Sequence, residues 1–294
     1  MPRRGAAAAP PDGVVSSEET NDPRPIGRRG ITARDTAIAL RTRSNTGLRT
    51  WLRRFRLALR CLVTRVAQIT IDRVADPLVE RNRRDNFHTR LLIAFTLRED
   101  SNCVDIGANR GEILKEFIRA APRGRHVAFE PLPQRAAGLR SRFPGVDVRE
   151  CALSDRPAGE ARFTHVLAID GLSGFRRRSY PSDMRTREIM VATDTLDRAL
   201  ADDYVPAMIK VDVEGAELEV LRGALNTLRT HKPTLVFEHG VGGADHYGTS
   251  PDDVHDLLSE VGYRIFDIDG GGPYTRSEFA ALFEQPIWVF VAHP

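Results

Sequence analysis

From residue 102 onward, short apolar runs alternate with segments of helical periodicity, and this alternation restricts the fold more than any other feature of the chain. CVDIGA, HVAFEP, VDVREC, MIKVDV and TLVFEHG each read as a strand, most of them ending in Gly or an acidic residue where a loop begins. GEILKEFIRAA, PQRAAGLRSRF, GAELEVLRGALNTLRT and PDDVHDLLSEVG fill the gaps as helices. Strands joined by crossover helices imply an α/β fold whose mostly parallel sheet is covered on both faces. YRIFDID and IWVFVAH, separated by a short helix around SEFAALF, read as an antiparallel pair at one edge. A helix over about 78–98 leads into this body, with Leu91, Leu92, Phe95 and Leu97 expected inside.

The 294 residues suffice for one domain of about 200 residues plus an extension. Residues 1–90 carry 19 Arg, no Lys and 9 acids, a balance of +10, against 24 basic and 31 acidic side chains in 91–294, a balance of −7. A basic arm on a mildly acidic body follows. Residues 1–47 are rich in Pro, Gly, Ala and Arg and poor in large apolar side chains, so they are expected to be disordered. Within a helical extension at 48–98, residues 51–69 place Leu52, Phe55, Leu59, Leu62 and Val66 on one stripe and Arg53, Arg56 and Arg60 on another. Such a helix either docks on a membrane surface or partner, or packs on its own domain with solvated arginines. The α/β body is then 99–294. Cys61, Cys103 and Cys151 are too dispersed for a disulfide framework or thiolate metal site. The absence of a long apolar run, and an N-terminal start unlike a secretory leader, lead us to expect a cytoplasmic protein.

The stretch VDIGANRGE, residues 104–112, occupies the first strand-to-helix turn, where open parallel sheets bind ligands. Gly107 permits a tight bend and Gly111 a close approach, while Glu112 opens a helix whose first amides face the pocket. A dinucleotide turn wants GxGxxG, yet Asn109 stands where its second glycine belongs. The Asp105 carboxylate repels a pyrophosphate and suits a ligand bearing an ammonium group. Glu130 ends the next strand, 25 residues after Asp105, where it can accept both hydroxyls of an adenosine ribose. NAD and S-adenosylmethionine both meet that demand; Asp105 and Asn109 lean toward the second.

VDIGANRGE, AFEPLP, CALSD, GLSGF, TDTLD and IKVDVEGAELEVLRGA, followed by PTLVFEHG, stand in an order that resembles the FkbM family of S-adenosylmethionine-dependent methyltransferases, over roughly residues 100–240. The resemblance implies a class I methyltransferase sheet of seven strands with an antiparallel last strand, and O-methylation of a hydroxyl on a sugar, polyketide or related metabolite. It further implies that Asp105, Gly107, Asn109 and Gly111 meet the methionine end of the cofactor, Glu130 the ribose, and Leu153, Ser154 and Asp155 the adenine.

An acceptor hydroxyl must lose its proton as it attacks, which calls for a base or a metal ion within reach. Lys210 and Asp212 share one face of MIKVDV, Glu214 opens the next helix, and Glu238 and His239 end TLVFEHG. Charges at the ends of apolar strands are costly unless paired or used. They form either a structural bridge from Lys210 to Asp212 or Glu238, or a catalytic cluster. Asp212, Glu238 and His239 are the candidates for a proton acceptor or a divalent metal site. His88, His126, His165 and His231 stand alone and read as surface or packing residues, and FRRRSY as a solvated loop that could attract an anion. A basic arm on such a domain could also mean RNA methylation, but the body is acidic and lacks an aromatic and basic strip for bases, so no nucleic acid is expected. A cofactor-binding protein without catalysis is the remaining alternative, disfavoured by the charged cluster.

Overall fold

A computed structural model describes residues 77–178, 180 and 184–294. The expected disordered arm at 1–47 and the basic helix at 51–69 lie outside the described residues. Strands β1 (Asn102–Ile106), β2 (His126–Phe129), β3 (Asp147–Arg149), β7 (Pro206–Val211), β8 (Thr234–Glu238), β9 (Arg264–Asp267) and β10 (Val289–His293) form a seven-stranded sheet in the order β3-β2-β1-β7-β8-β10-β9. The first five are parallel, and β10 runs antiparallel to both neighbours, as the resemblance implies. Helices α1 (Pro77–Thr96), α2 (Glu112–Ala120) and α3 (Pro133–Arg142) precede β3. Helices α4 (Leu196–Ala199), α5 (Glu217–Arg222), α6 (Leu225–His231), α7 (Pro251–Glu260) and α8 (Arg276–Ala281) follow it. No helix among the described residues is long and apolar enough to cross a membrane.

Strand alternation divides the core. Val104, Ile106, Ile209, Val211, Leu235 and Phe237 point to one face, where Leu218, Leu221, Leu228, Val254 and Leu258 of the later helices cover them. Cys103, Met208 and Val236 point to the other, against Phe117 and Ile93. The chain leaves β1 toward β2 and β3, then returns to add β7 on the other side, so the loops after β1 and β7 diverge. A crevice at the carboxyl ends of these strands is the consequence.

Three sequence expectations need correction. The helix at 77–96 buries Asp85, Thr89 and Ile93, whereas Leu91 is exposed and Phe95 is 87% exposed. Leu91 and Phe95 each lie two residues, roughly 200° of helical rotation, beyond a buried position. A second, smaller sheet was also missed: β4 (Ala152–Leu153) and β5 (Gly159–Val166) flank β6 (Thr186–Asp194), with β5 and β6 antiparallel. Their charged, half-exposed residues hide any apolar alternation.

Finally, the helix expected over 215–230 is two, α5 and α6, broken at Gly223. A Cβ there would lie 2.1 Å from the Ser154 carbonyl oxygen, so the break is where the backbone approaches β4. The freed amides of α6 are capped from elsewhere: Asp197 accepts from Asn226 N (2.8 Å), Thr227 N (2.8 Å) and Thr227 Oγ1 (2.7 Å). Asp197→Ala is therefore expected to destabilise the fold by about 1–2 kcal/mol, as loss of a helix cap does. A lowered urea midpoint with an unchanged slope is the result to look for; an unshifted midpoint would show that water replaces the cap.

Candidate active site

The turn after β1 is built to bring backbone close to backbone. Gly107 has φ +77°, and a Cβ on it would stand 1.8 Å from the carbonyl oxygen of Asp212 at the end of β7. Its N–H and that of Ala108 both donate to Phe129 O. Asn109 follows at φ 46°, and its N–H donates to Glu130 Oε2 at 2.8 Å. Gly111, at φ +75°, does not line the crevice: a Cβ there would meet Phe143 at 2.6 Å and Leu139 at 2.7 Å, so it seats α2 against α3. The expected ligand role for Gly111 thus becomes a packing role. Asp105 is 1% exposed, accepts from Leu114 N at 3.1 Å and lies 3.7 Å from Lys210 Nζ, which makes it an anchor beneath the turn.

A cleft opens above Gly107, at the carboxyl ends of β1, β2 and β7. Glu130 sits in it, buried, with its second oxygen accepting from Leu132 N at 2.8 Å. Burial holds its carboxyl above the usual value, against those two backbone donors. Phe129, Leu132, Cys151, Ala152, Leu153 and Phe163 form an apolar slot beyond it. Of the three residues expected near the adenine, Leu153 lines the slot, whereas Ser154 and Asp155 are not among the lining residues. Ser154 is buried, its carbonyl facing Gly223 and its hydroxyl accepting from Arg156 N at 3.2 Å. Sequence reasoning missed Phe163 and Phe175, rings at 5.6 Å edge to face, because neither strand β5, which presents Phe163, nor the loop between β5 and β6, which carries Phe175, was recognised. It also missed Asp170, which closes the cleft and pairs with Arg135 and with His165 at 2.8 Å. Partial burial pushes the Asp170 carboxyl up, but the hydrogen bonds from His165 and Arg135 leave it below its ordinary value. His165 is thus a partner in the cleft rather than a lone surface residue.

The register Asp105↔Lys210↔Val236 sets a row of charges at the carboxyl ends of β1, β7 and β8, on the face that α1 covers. Lys210 Nζ lies 2.9 Å from Asp212, so the structural bridge forms. Burial would lower the ammonium, but Asp212 and then Asp105 outweigh it and raise its pKa. A second cavity, of about 890 Å³, lies between this row and Asn82, Asp85, Asn86 and Thr89 of α1, and shares Gly107, Asn109 and Asp212 with the cleft. A third, of about 580 Å³, is walled by Arg178, Glu214, Glu217, Glu238, His239 and Trp288.

Carboxylates stand where the cavities meet. Glu214 lines both the cleft and the third cavity, and Glu238 the second and third. Glu214 has φ 61°, a strained backbone for a residue with a side chain, and is held by Arg178 at 2.5 Å. Burial, then the Asp212 charge, push its carboxyl up to about 8. Burial also raises Glu238 well above its ordinary value. Glu217, unremarked in the sequence, accepts from Val213 N and Gly215 N and is pushed by burial up to about 7. His239 departs from expectation. Its ring, 3% exposed, stacks on Phe279 and tilts against Phe283, and burial lowers it to about 4. Among the described residues no three His, Cys, Asp or Glu side chains converge to hold a metal ion, so Asp212, Glu238 and His239 do not make the metal site considered for them.

A family model described as the methyltransferase FkbM domain matches residues 105–265. The chain is 30% identical to the 2-O-methyltransferase NoeI of Sinorhizobium fredii, over 47% of this chain and 63% of the relative. It is 26% identical to the hexuronic acid methyltransferase AglP of Haloferax volcanii, over 66% of this chain and 77% of the relative. A methyltransferase FkbM of known structure, from Methylobacillus flagellatus, is 19% identical with a TM-score of 0.42, over 67% of this chain and 44% of that one. The first curated relatives are matched over about three fifths of their own length, 59% for the methyltransferase sdnD of Sordaria araneosa and 63% for NoeI.

Proposed function

Because the chain belongs to the FkbM methyltransferase family, we propose that it is an S-adenosylmethionine-dependent O-methyltransferase whose acceptor is a hydroxyl of a small molecule or glycan. The observation that carries this reading is Glu130. Each of its oxygens already accepts one backbone N–H, from Asn109 and from Leu132, which fixes the carboxylate's orientation and leaves a lone pair on each oxygen for a vicinal diol. The apolar slot from Phe129 to Phe163 adjoins it and suits a flat adenine. The buried Asn109 Oδ1, without a hydrogen-bond partner, faces the same cleft as an acceptor for a ligand donor. Past Gly107 the cleft joins the second cavity, where Asp212 offers a carboxylate to an ammonium group.

Bound there, S-adenosylmethionine would supply a methyl group on a positively charged sulfur, open to in-line displacement. The chain's own task is then alignment and proton removal. Glu214, on the wall common to the cleft and the third cavity, takes the acceptor proton at its carboxylate. Arg178 holds that carboxylate in place. Asp212, fixed by Lys210, keeps the cofactor side of the site negative and so favours a cationic ligand.

The test is calorimetry with the full chain. S-adenosylmethionine and its demethylated product should bind, and NAD should not. Glu130→Ala should weaken binding by about 1–3 kcal/mol, since two hydroxyls lose a charged acceptor. Tighter binding of NAD than of S-adenosylmethionine would falsify the assignment.

A further inference from the structure

We infer that the third cavity is the acceptor subsite and that the acceptor it takes is a neutral pyranose ring laid against the Trp288 indole. The inference rests on the methyltransferase reading and adds a substrate class and two specificity residues to it. The cavity is placed for the purpose, because Glu214 lines both it and the cofactor cleft, so a hydroxyl held here stands beside the proposed base.

Trp288 is half-buried, and among the described residues its side chain has neither a ring partner nor a hydrogen bond. It is nevertheless fixed. A Cβ on Gly240 would lie 2.7 Å from Trp288 Cδ1, and His239 N donates to Trp288 O at 2.8 Å. The indole therefore offers a rigid apolar plane and a free N–H donor. A pyranose matches that combination, with C–H groups on a ring face and hydroxyls around its edge.

His239 supplies the independent observation. It is 3% exposed, lines the cavity, and neither ring nitrogen has a partner. Buried polar atoms left unpaired are costly, and such atoms in a native protein call for a ligand or water. Held neutral by its apolar surroundings, the imidazole presents one donor and one acceptor, and a hydroxyl satisfies either. Glu214 and Glu238 add carboxyl groups that can pair with further hydroxyls, and neither they nor Glu217 offers an anionic acceptor a counter-charge. The cation on this wall, Arg178, is engaged with Glu214 and with Gly242 O at 2.8 Å. A phenol would cover the indole but leave His239 and Glu238 unpaired.

Two measurements decide the matter, both on the full chain. The first titrates methyl glucopyranoside, mannopyranoside and galactopyranoside into a Trp51→Phe background, which leaves Trp288 as the sole tryptophan, with S-adenosylhomocysteine present. A saturable change in Trp288 fluorescence is expected. The second follows label from S-adenosylmethionine into the same pyranosides, a hexosamine, a hexuronate and a catechol. Neutral pyranosides should be the best acceptors. Trp288→Ala should raise their KM by about tenfold or more with kcat within about threefold and cofactor affinity unchanged, the signature of lost ground-state binding. Trp288→Phe should fall between, and His239→Asn, which keeps a donor and an acceptor, should lose less than His239→Phe. A silent indole, an unchanged KM in Trp288→Ala, or better turnover of the hexosamine, hexuronate or catechol would overturn the inference. Failure of S-adenosylmethionine to bind at all would instead overturn the reading on which it rests.

Discussion

Exchanging Glu214 for Gln is expected to lower kcat by about 10²–10⁴-fold, the usual worth of a general base, with cofactor affinity nearly unchanged. The two side chains have the same shape, so the strained turn at φ 61° and the contact with Arg178 impose no new steric demand. What disappears is the proton acceptor. The pH profile gives the sharper reading. In the parent protein only the ionised carboxylate accepts a proton, and its group is pushed up to about 8, so the rate should climb as pH rises toward that value and then level. In Glu214→Gln that acidic limb should vanish. Stability moves the opposite way: a carboxyl raised in the folded state contributes stability that is complete below the ordinary carboxylate value and is lost as pH rises through about 8. Glu214→Gln should therefore unfold less readily than the parent at pH 9. Near-parental turnover in this variant would move the base to Asp212 or Glu238.

Gly107→Ala should be the most damaging single methyl group in the protein. The added Cβ would sit 1.8 Å from a carbonyl oxygen and 3.0 Å from its carbon, both in the backbone of Asp212, and neither can step aside as a flexible side chain would. A left-handed φ of +77° adds strain of about 1–3 kcal/mol, and forced repacking about 1–3 kcal/mol more. Expected outcomes are a fall in Tm of many degrees and loss of S-adenosylmethionine binding, because relief of the clash must part β1 from β7. Gly138→Ala is the control: it lies within α3 with nothing within 4 Å of the new Cβ, and Ala is the better helix former. Equal melting of the two variants would sink the argument from close approach.

These residues also show what a sequence discloses. Gly107 and Glu130 stood out because a tight turn and an acid at a strand end each have a local signature, and the parallel sheet was legible because short, largely apolar strands alternating with helices do. Phe163 and Phe175 were not. Phe163 sits on a ribbon whose residues are mostly exposed or half-exposed and whose pairing partners are not encoded in its own periodicity, and Phe175 stands in the loop between the ribbon's two strands. Position after β8 made His239 look reactive, yet its surroundings are set by Phe279 and Phe283, some forty residues on, which no local pattern connects to it. The break at Gly223 was hidden likewise, since its cause is the Ser154 carbonyl.

The placement of β10 between β8 and β9 bears on how the chain emerges from the ribosome. β8 is complete at residue 238, but the strand that pairs with its free edge is made only at residues 289–293. β9 comes out in between and has no neighbour until β10 arrives. Throughout that interval the nascent chain carries an open parallel sheet with an apolar edge strand, the kind of surface on which chains aggregate. Ribosome-bound chains stalled before residue 289 should accordingly recruit chaperones that those stalled after residue 293 and clear of the exit tunnel release, and slow codons between the two strands should lower soluble yield without altering one residue of the product.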